Sequence, residues 1–315
     1  ILIPLAFSLA LPVETAMILL TSVYAGAMYG GRISSILLNI PGDEPAMMTC
    51  LDGYPMAKNG KAAEALAISA IASFVGGVLG TIGLIFLAPI LARFALSFGP
   101  AEYFALFMLA FATLGGITGK NTGKTIIAAA IGLMISTVGM DISTGTQRYT
   151  FGILKLYEGI DFILAIVGLF AISELLFFVE HRVKGPAPKI VVGKLSLSFK
   201  EIMALVPSTL RGGLLGFIAG VLPGAGASLG SFISYTLEKR IIGAKGFFGR
   251  GDPRGVAAPE AGNNGASSGA LVPMLTLGVP GSGTTAVLLA MLISLNVTPG
   301  PLMFTQHADV VWGII

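Results

Sequence analysis

The sequence predicts an all-α integral membrane fold: a polytopic helical bundle of two repeats, with broken helices and re-entrant hairpins. Three observations predict it. The chain is 54% hydrophobic and only 11% charged, with a mean hydropathy of +0.87, whereas soluble domains carry about 25% charged residues. Several apolar stretches approach the roughly 20 residues that span a bilayer core as a helix. A Pro-Gly break recurs inside the greasy chain, as "NIPGDEP" at 39–45, "VLPGAGAS" at 221–228 and "GVPGSGTT" at 278–285.

Taken in order, the candidate spans are 13–30, 62–91, 101–118, 124–140, 161–179, 201–222 and 284–298. The connection 182–200 holds Arg182, Lys184, Lys189, Lys194 and Lys200 and no acid; the loop 239–254 holds Lys239, Arg240, Lys245, Arg250 and Arg254. An excess of Lys and Arg in short loops places both in the cytoplasm. Residues 201–238 must then leave that face and return, so a helical hairpin with its tip at 221–228 is expected. Non-helical backbone at membrane depth is tolerated only inside protein or beside a watery cavity, which puts that tip near a polar site.

The expected organisation is a first transmembrane repeat at 1–181, a basic linker at 182–200 and a second repeat at 201–315. The chain reads as part of a longer protein, with segments missing at one or both ends. The basic residues are spread through loops, so no nucleic-acid face is expected. A single cysteine, Cys50, excludes an internal disulfide, and no His/Cys cluster has metal-ligand spacing.

The first and third breaks share their approach, "SSILLNIPG" at 34–42 paralleling "PMLTLGVPG" at 273–281. Interrupted segments at matching positions of two halves point to a secondary transporter's binding site. Past Pro280-Gly281 a resuming helix presents free backbone N–H groups, and Ser282, Thr284 and Thr285 add hydroxyls, which suits an anion. Gly226 and Ser228 stand in the same place after the second break, whereas Gly212, Gly216, Gly220 and Gly224 have the spacing of close helix packing. Glu260, Asn263, Asn264, Ser267 and Ser268 in "APEAGNNGASSG" read either as a polar site for sodium or carboxylate or as a solvated loop. Asp52-Gly53 reads as a turn, with cation coordination by Asp52 left open. Asp43 and Glu44 would repel an anion unless a cation sits between them or they lie outside the site. "TGKNTGKT" at 118–125 departs from a phosphate-binding loop at Thr118 and reads as a polar hairpin.

"YGGRISSILLNIPGDEPAMMTCLDGYPMAKNGKAAEAL", "GVLPGAGASLGSFISYTLEKR", "GVAAPEAGNNG" and "LVPMLTLGVPGSGTTAVLLAML" resemble the large membrane subunit of the bacterial tripartite tricarboxylate transporter family, over nearly the whole chain. The resemblance implies a multi-pass importer of the bacterial inner membrane, driven by an ion gradient, expected to be sodium. It further implies a small membrane subunit, a periplasmic solute-binding protein and a carboxylate substrate such as citrate. Asn39, Pro41, Gly42, Pro223, Gly224, Pro280 and Gly281 carry the family pattern of the breaks, and Asn263 and Asn264 carry that of the polar stretch. The expected substrate site joins these breaks with Gly226, Ser228, Ser282, Thr284 and Thr285; the expected cation site is Asn263, Asn264 and Asp52. No cofactor is expected. A membrane-embedded enzyme using Glu260 is the alternative, disfavoured by the lack of a paired base or nucleophile motif; a passive anion channel is another, and needs no repeated breaks.

Overall fold

Val13–Leu38 forms α1, 26 residues entered through Pro12 and closed by Asn39 in the left-handed conformation at φ 57°. The computed structural model describes residues 11–97, 122–140, 146–157, 197–223 and 226–315, with scattered positions between them. Next come α2 (Ala46–Lys58) and α3 (Ala62–Ala95), then α4 (Thr122–Ser136) and a short antiparallel strand pair, β1 (Gly139–Met140) with β2 (Gln147–Arg148). After them follow α5 (Phe199–Val221), α6 (Gly226–Ile242), α7 (Arg254–Gly269), α8 (Leu271–Leu277), α9 (Gly283–Ser294), α10 (Met303–Gln306) and α11 (Ala308–Ile314). The expected spans at 101–118 and 161–179, and the basic linker before residue 197, lie almost wholly outside the described residues.

The chain divides into a unit of residues 1–110 with 187–315 and a unit of residues 111–186. In the smaller unit α4 leads through Thr137 and Val138 into the strand pair, and the Met140 amide donates to the Tyr157 carbonyl at 3.0 Å. The other α-helices belong to the larger unit.

In it, α3 and α5 are long and apolar enough to cross a membrane. At 34 residues α3 is about 51 Å long, more than the roughly 30 Å of a bilayer core. Large side chains such as Phe74 and Phe86 point outward, 73% and 71% exposed, while most of its buried positions are small, among them Ala65, Ala72, Ser73, Gly76 and Gly80, with Ile68 and Leu84 the large exceptions. Apolar bulk outside and small residues inside is the pattern of helices that meet one another in lipid. Helix α5 opens with a reciprocal cap, Ser198 accepting from the Glu201 amide while Glu201 accepts from the Ser198 amide.

Helix α5 runs antiparallel to α6, as expected for residues 201–238. Ser208 donates to Glu238 at 2.7 Å, Arg211 pairs with the same carboxylate at 2.7 Å, and Ser234 donates to the Gly212 carbonyl at 3.1 Å. Sequence alone left 258–269 open between site and loop; it is the buried α7, at the centre of the unit and packed on α1, α2, α3, α5 and α6. Gly212, Gly216 and Gly220 lie directly on the backbone of Ala258, Gly262 and Ala266, so close that any Cβ would overlap it. Gly76 of α3 meets Ala261 in the same way. The glycine stripe is therefore helix packing, with Gly224 outside the described residues.

One expectation is corrected. Asp52-Gly53 is not a turn but the middle of α2; the chain turns at Asn59 and Gly60, where Gly60 takes φ 77°. Gly53 is needed there because a Cβ would come within 2.8 Å of Ile36 Cγ1.

Candidate functional site

The first and third breaks have the same backbone construction. Asn39 and Gly278 close their helices at φ 57° and 67°. The next amides reach six residues back, Ile40 to the Ser34 carbonyl at 3.4 Å and Val279 to the Pro273 carbonyl at 3.3 Å. Gly42 then packs on Gly31 and Gly281 on Ala270, where a Cβ would lie 2.7 Å from the Gly31 and Ala270 carbonyl oxygens. A side-chain bond to the amide three residues on follows in both: Asp43, just ahead of α2, accepts from the Ala46 amide at 2.9 Å, and Ser282, the N-cap of α9, from the Thr285 amide at 3.2 Å. Thus Gly42 and Gly281 are required by the fold, and a substitution at either tests packing before ligand binding.

The three breaks converge. Ser228, just past the second, donates to Glu44 of the first at 3.1 Å, and Ser231 donates to the Pro45 carbonyl at 3.0 Å. Gly226, at φ 62°, faces the third break: a Cβ on it would lie 3.6 Å from Ser282 Cβ. Of the other expected substrate residues, Asn39, Pro41, Gly42 and Thr284 are exposed, Pro223 and Thr285 are buried, and Pro280 is half-buried. The Ser282 and Thr285 side chains are engaged with each other, the Ser282 amide donating to Thr285 Oγ1 at 2.8 Å.

Beside the third break lies a cavity of about 270 Å³ whose polar lining includes Thr21, Tyr24, Thr81, Asn264, Ser267 and Ser268. The buried Tyr24 lines this cavity together with Ser267 and stands close to Ser282, so cavity and break share a wall. A wider space of about 620 Å³ adjoins it across Ala25, Gly77, Thr81 and Asn264, and none of the described residues lining either is charged. Asn264 lines both spaces, whereas its neighbour Asn263 is wholly buried and lines neither. Asn264 donates to the Glu260 carbonyl at 3.0 Å and Asn263 to the Met28 carbonyl at 3.3 Å, while the buried Asn263 Oδ1 has no hydrogen-bond partner among the described residues.

Asp52 is not brought to this place. One of its oxygens accepts from the amides of Gly249, Gly251 and Asp252 at 2.8–2.9 Å, and the other from the Tyr235 hydroxyl at 2.9 Å. Three of these donors anchor the 247–252 loop to α2, and the fourth ties in α6. In that loop Asp252 is held below the usual carboxylate range: burial works against it, and its bonds from Arg254 and from the Phe247 and Arg254 amides outweigh burial.

Sequence reasoning passed over Arg32. Its side chain is buried inside α1, where Nε donates to Glu260 at 3.1 Å and Nη1 to both oxygens of Asp43 at 2.7 Å. Glu260 also accepts from Thr49 and, at 3.0 Å, from Ser73. The cation that Asp43 needs is thus Arg32. A charged residue within an otherwise apolar helix was the available signal, since such residues are costly there and tend to be functional.

A family model for the tripartite tricarboxylate transporter TctA family matches residues 1–315. The chain belongs to that family. TctA proteins are transporter components, not enzymes. Among relatives, the chain is 39% identical over 314 residues to an uncharacterized 52.8 kDa protein in the TAR-I ttuC′ 3′ region of Agrobacterium vitis, covering all of this chain and 62% of that protein. It is 42% identical over 100 residues, 32% of its length, to a protein in the TAR-II ttuC′ 3′ region of the same organism, covering 41% of that protein. The chain therefore spans about three-fifths of its longer curated relative. No solved structure matches it. The matched span includes every TctA residue named above, from the breaks to the buried Arg32.

Proposed function

We propose that this TctA chain is the core of an inner-membrane carrier that imports a carboxylate, such as citrate or another di- or tricarboxylate, with sodium. It works beside a small membrane subunit and receives substrate from a periplasmic binding protein. The observation that carries the reading is the meeting of three helix breaks beside an uncharged polar cavity. Breaks free backbone groups, and the half-helix starting at Gly283 directs its positive end at that meeting place. Asn263 Oδ1 and the Asn264 side chain supply the amide oxygens a sodium ion accepts. Matched construction of the first and third breaks supports two repeats, with the α5–α6 hairpin entering from the cytoplasmic side. Asp52, with its donors already in place, drops out of the cation set.

The test is uptake of labelled citrate and succinate by proteoliposomes holding the complete transporter, with and without an inward sodium gradient. The expected result is uptake above the outside concentration only with the gradient, and an Asn264→Ala variant that inserts normally but needs about tenfold more sodium, the scale of one lost ligand interaction. Equilibration without a gradient would support the passive channel instead.

A further inference from the structure

Arg32 uses its guanidinium incompletely. Of its donors, Nε serves Glu260 and Nη1 serves Asp43, while the buried Nη2 has no partner among the described residues. Asp43 reaches Arg32 from the tethered first break and places both its oxygens 2.7 Å from Nη1 alone. A carboxylate free to choose its position takes Arg differently, bridging two nitrogens in a fork-to-fork pair, which is the stronger arrangement. Asp43 also stands on the outer side of the pair: its side chain is 23% exposed against 1% for Arg32. Glu260, wholly buried and holding donors from Thr49, Ser73 and Arg32, fixes the guanidinium from behind. Ser73 in turn lines the wider cavity, so the network abuts the space in which a ligand would travel.

We infer that Arg32 is a receptor for a substrate carboxylate, and that Asp43 is its internal stand-in, occupying Nη1 until a substrate carboxylate displaces it and bridges Nη1 and Nη2. The inference rests on the transport reading above. It accounts for a carboxylate, Asp43, at a place meant for anions. Asp43 fills the outer side of Arg32 when no substrate is present, while Glu260 stays on the inner side, and the removal of Asp43 from Nη1 is the step a ligand must win. It also makes release easier, because the displaced carboxylate competes for return.

The test is equilibrium binding of acetate, succinate and citrate to the full-length permease, comparing wild type with Asp43→Asn. Asparagine has nearly the shape of aspartate and keeps an oxygen for the Ala46 amide, so the variant is expected to fold. Removing the competitor should tighten binding of at least one of the three by about tenfold or more, the scale of one charge-assisted hydrogen bond. A merely structural Asp43 would give the opposite sign, since damage to the break weakens binding. Unchanged or weaker binding by Asp43→Asn, with a wild type that binds, overturns the inference alone. A wild type that binds none of the three overturns the transport reading together with it.

Discussion

Gly76→Val should prevent this protein from folding, while Gly77→Val, one position along the same helix, should leave it folded. A Cβ on Gly76 would overlap the backbone of Ala261 at the centre of α7; one on Gly77 would meet nothing within 4 Å. Overpacking a rigid contact costs about 1–3 kcal/mol where side chains can yield. Backbone on backbone cannot yield without separating α3 from α7, so the cost at Gly76 should exceed that range. Gly77 borders both cavities, and a valine there fills space beside Asn264. Its uptake should fall about tenfold or more, a barrier near 1.4 kcal/mol. Size-exclusion profiles of the detergent-extracted variants, followed by uptake for the one that survives, check both halves. Equal behaviour of the two would mean that α7 is not held against α3 as described.

Glu260→Ala has the second large effect. It strips the buried Arg32 of its inner partner and leaves Thr49 and Ser73 without their acceptor. Breaking a buried ion pair from one side costs about 3–5 kcal/mol, whereas replacing both members by apolar residues is often neutral. The expected outcome is loss of folded Glu260→Ala protein in a thermal-unfolding assay, and recovery of the fold, but not of uptake, in an Arg32→Met/Glu260→Met double variant. A double variant that still transports would remove Arg32 from the substrate path.

Much of this was legible in the residues because lipid simplifies the rules. Long apolar runs became α1, α3 and α5, and the stretch between the two basic loops became the antiparallel α5–α6 pair, joined through Glu238. The parallel between "SSILLNIPG" and "PMLTLGVPG" became a parallel of φ angles, hydrogen bonds and glycine contacts. What escaped notice depends on contacts between distant segments. Residues 254–269 have the composition of a loop, and only the glycines of α3, α5 and α6 reveal why so polar a sequence is a buried helix. Asp52-Gly53 has the local signature of a turn, yet donors almost 200 residues away and the Ile36 side chain fix it within α2. Arg32 is one letter in an apolar run, and its importance lies in Asp43, eleven residues on past the first break, and in Glu260, 228 residues on.

The central claim, that a carboxylate binds where the three breaks meet, is most directly tested by substrate protection. A single cysteine replaces Ser282 in a Cys50→Ser background of the complete transporter, and its alkylation rate is followed with and without saturating carboxylate. The account predicts that a transported carboxylate slows alkylation at Ser282→Cys severalfold and leaves a Lys245→Cys control, on the basic loop, unchanged. Equal rates at Ser282→Cys with and without a carboxylate that the protein demonstrably transports would contradict it.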